Sequence, residues 1–184
     1  MDNKHRCKWC NPKNPLYVAY HDNEWGVPRF EDPYLYEMLL LESFQAGLSW
    51  ECVLNKREAF RRAYDGFDAS KVALYTEDAA RKLENNKEII RHKRKIRASI
   101  DNSVIFLQIC REYGSFYSYL KRFTGGEILY EIGQTTNAWS DAISKDLQAR
   151  GMRFVGSVTV YSYLQAIGVI CSHDRDCYLY RGEG

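Results

Sequence analysis

All four prolines of this 184-residue chain, Pro12, Pro15, Pro28 and Pro33, fall within its first 33 residues, and none follows. A long proline-free stretch with apolar residues every three or four positions favours helices over a turn-rich β-fold. The length suits one domain over residues 1–184, large enough to bury a core without staples. A hydrophobic fraction of 45% excludes a disordered chain. Aliphatic runs such as Met38-Leu39-Leu40-Leu41 are far shorter than the ~20 residues of a membrane span. No apolar stretch follows Lys4, His5 and Arg6, so no signal peptide is expected. Six cysteines in such a chain point to free thiols in a reducing cytoplasm rather than to three disulfides.

The punctuation along the chain predicts an all-α fold with short connections. Asp32 caps a helix opened by Pro33, with Leu35, Met38, Leu39, Glu42 and Ala46 on one face and Gly47 past its end. Ser49 caps the next helix, which carries Trp50, Val53, Leu54, Phe60 and Tyr64 to a stop at Asp65-Gly66. Short helices are expected at 69–75 and 77–85, the second capped by Thr76. The longest helix begins near Lys87, holds Ile89, Ile96, Ile100, Val104 and Leu107 on one face, and ends at Gly114. Another runs from Asn137 or Ser140 to Arg150, with Ile143 and Leu147 inward. The last follows Gly156, with Val158, Tyr161, Leu164, Ala166 and Ile167 inward, and stops at Gly168. The arms 1–28 and 169–184 read as irregular.

Net charge is only +2, but it is unevenly placed. Residues 20–51 hold seven acids against one base, and residues 81–100 hold eight bases against two acids. A basic run is either a solvated helix face or a phosphate-contacting surface. Within the acidic stretch Glu42 sits on an apolar stripe, so its carboxylate is either paired or aimed into a pocket. Trp9, Tyr17, Tyr20, Trp25 and Trp50 surround that stretch. Aromatic rings beside carboxylates suit a flat cationic ligand, although rings more commonly fill cores.

Two further patterns carry chemistry. His173 and Cys177 are four residues apart, and Cys7 and His21 lie at the other end of the chain. Two Cys and two His make a closed tetrahedral Zn²⁺ shell of structural type. Cys7-x-x-Cys10 competes as a metal pair, and free thiols with surface histidines remain the alternative to any metal. In the segment Arg150-Gly-Met-Arg-Phe-Val-Gly-Ser157 two glycines allow a tight hairpin between helices. Its second helix would then offer free backbone N–H groups to a phosphate. An ordinary connection between two helices has the same spacing.

At these residues the chain resembles a known family. Tyr17-Val-Ala-Tyr-His-Asp-Asn-Glu-Trp-Gly26 and Leu41-Glu-Ser-Phe-Gln-Ala-Gly-Leu-Ser-Trp50 resemble the 3-methyladenine DNA glycosylase I family. So do Arg6-Cys-Lys-Trp9, Ile89-Ile-Arg-His92, Gly151-Met-Arg-Phe-Val-Gly156 and His173-x-x-x-Cys177, collinear from Arg6 to about Tyr180. The resemblance implies a helix-hairpin-helix superfamily fold. It implies hydrolytic excision of a flipped 3-methyladenine from double-stranded alkylated DNA, leaving an abasic site for base-excision repair. It implies zinc on Cys7, His21, His173 and Cys177, which demotes Cys10. It places Trp9, Tyr17, Tyr20, Trp25, Trp50 and Glu42 in the base pocket, with Glu42 recognising the base. Gly47 and Leu48 match the turn that fills the gap left by the base, and Gly151, Phe154 and Gly156 lie in the DNA-binding hairpin. A monomer without a membrane partner is expected.

The chain departs from commoner family forms at Phe44, which stands to reshape the pocket wall, and in the charged loop Asp174-Arg175-Asp176. Asp174 is the nearest match to the catalytic aspartate of other superfamily members. The competing readings are a non-catalytic, zinc-stapled DNA-lesion-binding module and a binder of free methylated bases.

Overall fold

A computed structural model describes residues 4–45 and 47–182. The described helices are α1 (Pro15–Asn23), α2 (Asp32–Gln45), α3 (Trp50–Leu54), α4 (Arg57–Ala63), α5 (Ala69–Val72), α6 (Glu77–Asn85), α7 (Lys93–Tyr113), α8 (Phe116–Thr124), α9 (Ala138–Ala149) and α10 (Ser157–Ala166). Two short strands, β1 (Leu129–Tyr130) and β2 (Ile170–Cys171), pair in parallel.

α2 is the hub. Its residues from Leu35 to Phe44 are all buried, and α3, α7, α8 and α10 pack around it. A helix covered on every side has no polar stripe to display. That is why Leu40 and Leu41 are as buried as the expected face of Leu35, Met38 and Leu39. Ala46, expected on that face, lies outside the described residues. The full burial also traps two carboxylates. Glu37 accepts hydrogen bonds from Arg57 Nε and Arg61, each at 2.7 Å, whereas Glu42 is handled differently, as described below.

Many expected boundaries hold. Ser49 accepts from the Cys52 amide, Thr76 caps α6, and Asn137 and Ser140 form a reciprocal cap on α9. Others shift for physical reasons. The expected 50–64 helix breaks at Asn55-Lys56 into α3 and α4, and the 69–75 helix shrinks to α5. α7 starts at Lys93 rather than near Lys87, because the His92 side chain accepts from the Lys95 amide and caps it there. The inward face of α7 is rotated from the expected one. Val104 is 37% exposed, while Ser99, Asn102 and Ser103 are buried. Ser99 and Ser103 take their places by bonding Tyr64 and Tyr36 through their hydroxyls, a pattern invisible to a hydrophobic count. Val158 likewise faces out at 58% exposure.

Two helices were not anticipated. α8 follows the Ser115 cap and buries Phe116, Tyr119 and Leu120. α1 lies inside the arm expected to be irregular, because Asn14 caps it and Pro15 occupies its first position. The second arm, also expected to be irregular, supplies β2, because Ile170 and Cys171 pair with Leu129 and Tyr130. The arms meet each other: the Tyr178 amide donates to His5 O at 2.8 Å, and the Lys8 amide donates to Asp174 Oδ2 at 2.8 Å.

The first arm also crosses the turn after α10. The Gly26 amide donates to Gln165 O, and the Arg29 amide to Ile167 O. At Gly168, φ is +76° and an added Cβ would lie 2.3 Å from the backbone of Val27 and Pro28. Gly168→Ala is therefore expected to cost about 2–4 kcal/mol of stability, read by denaturant unfolding. An unchanged midpoint would show that the crossing is loose.

Candidate functional site

A cavity of about 330 Å³ opens beside α1 and α2. Its walls include Trp9 from the first arm, Tyr17 and Tyr20 from α1, Trp25 just after α1, and Trp50 at the start of α3. Glu42 of α2 lines the same cavity. All five aromatics expected around the acidic segment thus converge with the carboxylate expected among them. Trp9 meets Trp25 edge-on at 4.9 Å and Tyr17 at 5.2 Å, and Tyr20 lies 5.3 Å from Trp50. Phe60, Tyr64 and Tyr161, read as packing, are fully buried in the core. Cavity residues that spacing did not single out are Gln45, Gly133, Ser162, Gln165 and Ser172. They carry no pattern of their own.

Glu42 is 3% exposed, and its Oε2 has no hydrogen-bond partner. Burial pushes its carboxyl up to about 8. The indole N–H of Trp50 is likewise buried without a partner. The residues lining the cavity therefore hold three buried unmatched groups, the Glu42 acceptor, the Trp50 donor and the Ser172 hydroxyl, among aromatic faces. Such a set is complementary to a flat heterocycle with polar edges, and a positive charge on that ring favours the ionised carboxylate.

Phe44 does not reshape this wall. It points away into the core, 4.8 Å from the Phe60 ring. Asp174 lines the cavity, but its Oδ2 is engaged by the Lys8 amide.

Behind the cage the two arms bring Cys7, His21, His173 and Cys177 together, all buried, with their ligand atoms within 4.8 Å of one another. Three of the S···N edges measure 3.4, 3.5 and 3.6 Å. A tetrahedron with ordinary Zn–S and Zn–N bonds has S···N edges of about 3.5 Å, so the donor set fits such an ion. Its surroundings fit as well. His21 Nδ1 lies 2.8 Å from Asp22 Oδ1, which turns Nε2 toward the cluster, where the Cys7 amide also donates to it at 3.3 Å. Arg6 grips Asp22 through two bonds and holds its carboxyl well below the usual range. Burial pushes the Cys7 thiol up and the His173 imidazole down to about 4. Both shifts oppose buried charge, and a dication offsets the thiolate cost. Cys10 stands outside the cluster, its thiol near the Tyr17 carbonyl. The cluster touches the cage: His21 lies 5.2 Å from Trp9, and His173 lies edge-on to Trp25 at 4.8 Å.

Two other elements face the same question of DNA contact. Gly47, at φ +83°, and Leu48, 42% exposed, form the tip between α2 and α3. The 150–156 connection joins α9 to α10 with Gly151 at φ +100° and the non-glycine Phe154 at φ +58°. Gly156 caps α10 without a side-chain bond. A groove of about 570 Å³ runs along this connection past Arg94, Arg97 and Arg153. The basic run is less positive than its sequence. Arg97 is paired with Glu77 and Glu84, and Lys95 is buried.

Because Glu42 binds its proton more tightly when folded, it contributes stability below about pH 4.5 that is lost as pH rises to about 8. Glu42→Gln should match the wild type at pH 4.5 and exceed it at pH 9 by about 3–5 kcal/mol, measured by urea unfolding. Parallel pH profiles would mean that the carboxyl is solvated. Comparison with known proteins places this architecture. Residues 9–180 match the methyladenine glycosylase family model. The chain is 43% identical over 185 residues to DNA-3-methyladenine glycosylase 1 of Escherichia coli (strain K12), covering 97% of this chain and 98% of that one. A crystal structure of 3-methyladenine DNA glycosylase I superposes with a TM-score of 0.90 at 38% identity, over 96% of this chain and all of the other. A Staphylococcus aureus 3-methyladenine DNA glycosylase I, solved for the structural basis of 3-methyladenine recognition, gives 0.90 at 32% identity, over 98% of this chain and 100% of that one. With most of its length matched by that model and by such relatives, the chain belongs to the methyladenine glycosylase family.

Proposed function

We propose that this chain is a DNA glycosylase that flips 3-methyladenine out of alkylated duplex DNA and hydrolyses its N-glycosidic bond. The abasic product feeds base-excision repair. The observation that carries the reading is Glu42, buried and unpartnered at the wall of a five-ring cavity. An acceptor left this way is costly unless a ligand satisfies it. Methylation at N3 makes the base in the nucleotide cationic, so charge and stacking select it over neutral adenine.

A base within a duplex is out of reach, so it must be extruded at a cost of a few kcal/mol. The amides of the Gly151–Gly156 hairpin, with Phe154 at its turn, hold the phosphates as a helix-hairpin-helix element does. Leu48, on the Gly47 turn, occupies the vacated stack. The extruded ring enters between Trp9, Tyr17, Tyr20, Trp25 and Trp50, and the Glu42 carboxylate accepts from its exocyclic amine. The C1′–N bond then breaks with its electron pair going to the base, which leaves neutral. Water adds to C1′ of the oxocarbenium-like sugar and releases its proton to solvent. Glu42 acts through recognition and electrostatics, and the positive leaving group needs little further acid catalysis.

Cys7, His21, His173 and Cys177 hold a Zn²⁺ ion in this reading. Bound there, the ion would supply a structural cross-link between the two arms. The protein acts as a monomer in the cytoplasm. Among the described residues no helix is long and apolar enough to cross a membrane.

Incubation with methylated duplex DNA, followed by chromatography of released bases, tests the activity directly. Release of 3-methyladenine is expected. Tight binding to abasic duplex without release would instead make this a lesion-binding module. Because the free enzyme must lose the Glu42 proton to favour the cation, kcat/KM should rise with pH toward about 8 and then level. Glu42→Gln should lower it roughly ten- to a hundredfold and abolish the rise. Release at the wild-type rate by that variant would remove Glu42 from the mechanism. Metal analysis of purified variants tests the cluster. Cys7→Ser should lose zinc and Cys10→Ser should keep it, and zinc retained in both would reassign the ligands.

A further inference from the structure

Lys95 belongs to the basic run expected to face phosphates, yet it is only 4% exposed. It cannot serve as a phosphate contact, and the mechanism above leaves it without a role. Its position is also unfavourable in isolation. It lies in the first turn of α7, where a cation opposes the dipole of its own helix. Burial accordingly draws its ammonium pKa down.

Contacts that offset these costs include two that belong to different elements of the DNA-facing surface. Lys95 Nζ donates to the Phe44 carbonyl at 2.8 Å. Phe44 lies in the last turn of α2, where carbonyls have no partner within the helix and the dipole favours a cation. Four residues further on is Leu48, whose amide donates back to Gln45 O. The same ammonium lies 5.7 Å from the centroid of the Phe154 ring in the hairpin. Phe154 has φ +58°, a conformation that non-glycine residues hold only when the surroundings enforce it. α7 supplies that enforcement. His92 approaches the Phe154 ring at 6.1 Å, and Asn102 both donates to Arg153 O and accepts from Arg153 N, each at 2.9 Å.

We propose that Lys95 is a positioning residue that couples the seating of the hairpin to the aim of the Leu48 turn. Its ammonium is the point at which the hairpin turn and the end of α2 share one group. When a phosphate fixes the hairpin, the Phe154 ring fixes the ammonium. The ammonium in turn holds the α2 terminus from which Leu48 projects toward the base stack. The base cavity itself contains neither Lys95 nor Phe154, so base affinity and extrusion should separate.

The inference rests on the excision reading, and the experiment distinguishes the two. Wild type, Lys95→Met and Lys95→Arg are compared by single-turnover release of 3-methyladenine from methylated duplex. Leu48 insertion is followed by fluorescence of 2-aminopurine opposite an abasic site, with Leu48→Ala as the control for a lost signal. Free 3-methyladenine binding is read by quenching of tryptophan emission. Methionine fills much of the lysine volume but cannot donate. We expect it to slow release from duplex roughly ten- to a hundredfold, to reduce the 2-aminopurine signal toward the Leu48→Ala level, and to leave free-base affinity within about twofold. Arginine should restore most of the signal. Wild-type release and signal in Lys95→Met, or an equal loss of free-base affinity, would overturn the coupling while leaving the glycosylase reading intact. A wild-type protein that releases no base would overturn both.

Discussion

The structure is organised around a carboxyl group kept away from water without a partner. Every other buried carboxylate that α2 could have exposed to the core is neutralised. Glu37, one turn and a half earlier, is gripped by Arg57 and Arg61. Glu42 is left open toward a cavity. Holding it there costs several kcal/mol in the unliganded protein, of order 1.4 kcal/mol per tenfold change in acidity. The cost is tolerable because α2 is otherwise wrapped by apolar contacts on all sides. A helix less completely buried could not carry such an unsatisfied group and stay anchored.

That wrapping explains the role of the two arms. Neither is long enough to build a core by itself, and each contributes cage walls that need rigid backing. Trp9 leans on His21 and Trp25 leans on His173. The rings that face the cavity are therefore backed by the side chains that converge as metal donors. Arg6 and Asp22 extend the same construction outward by fixing the orientation of His21. Cage and cluster form one continuous packed unit rather than two separate sites.

The legible parts of the sequence were those with local signatures. Caps at Ser49, Thr76 and Asn137 and the stop at Gly114 marked helix ends because the hydrogen bonds involved span only a few residues. The cage and cluster residues were recoverable through their motifs, while spacing alone left Cys10 in contention. What stayed hidden depends on partners distant in sequence. The serine face of α7 makes sense only once Tyr36 and Tyr64 are opposite it. Phe44 stands two residues from Glu42, and two residues along a helix turn a side chain by more than half a circle, which carries it from the cavity into the core. Lys95 read as one more surface base because nothing near it in sequence announces the Phe44 carbonyl. α8 has the local marks of a helix, a Ser115 cap and buried Phe116, Tyr119 and Leu120 at helical spacing.

The meeting of the two arms has a consequence for biosynthesis. Cys7 and His173 are 166 positions apart. Loop closure over that distance is a single entropic cost that grows only slowly with length. It cannot be met, however, until nearly all of the intervening chain has left the ribosome. The base cage thus gains its backing only once both arms have been made, shortly after α10 reaches its place on α2. A nascent chain carries every ring of the cage early, yet it has nothing to hold those rings rigid until its second arm emerges.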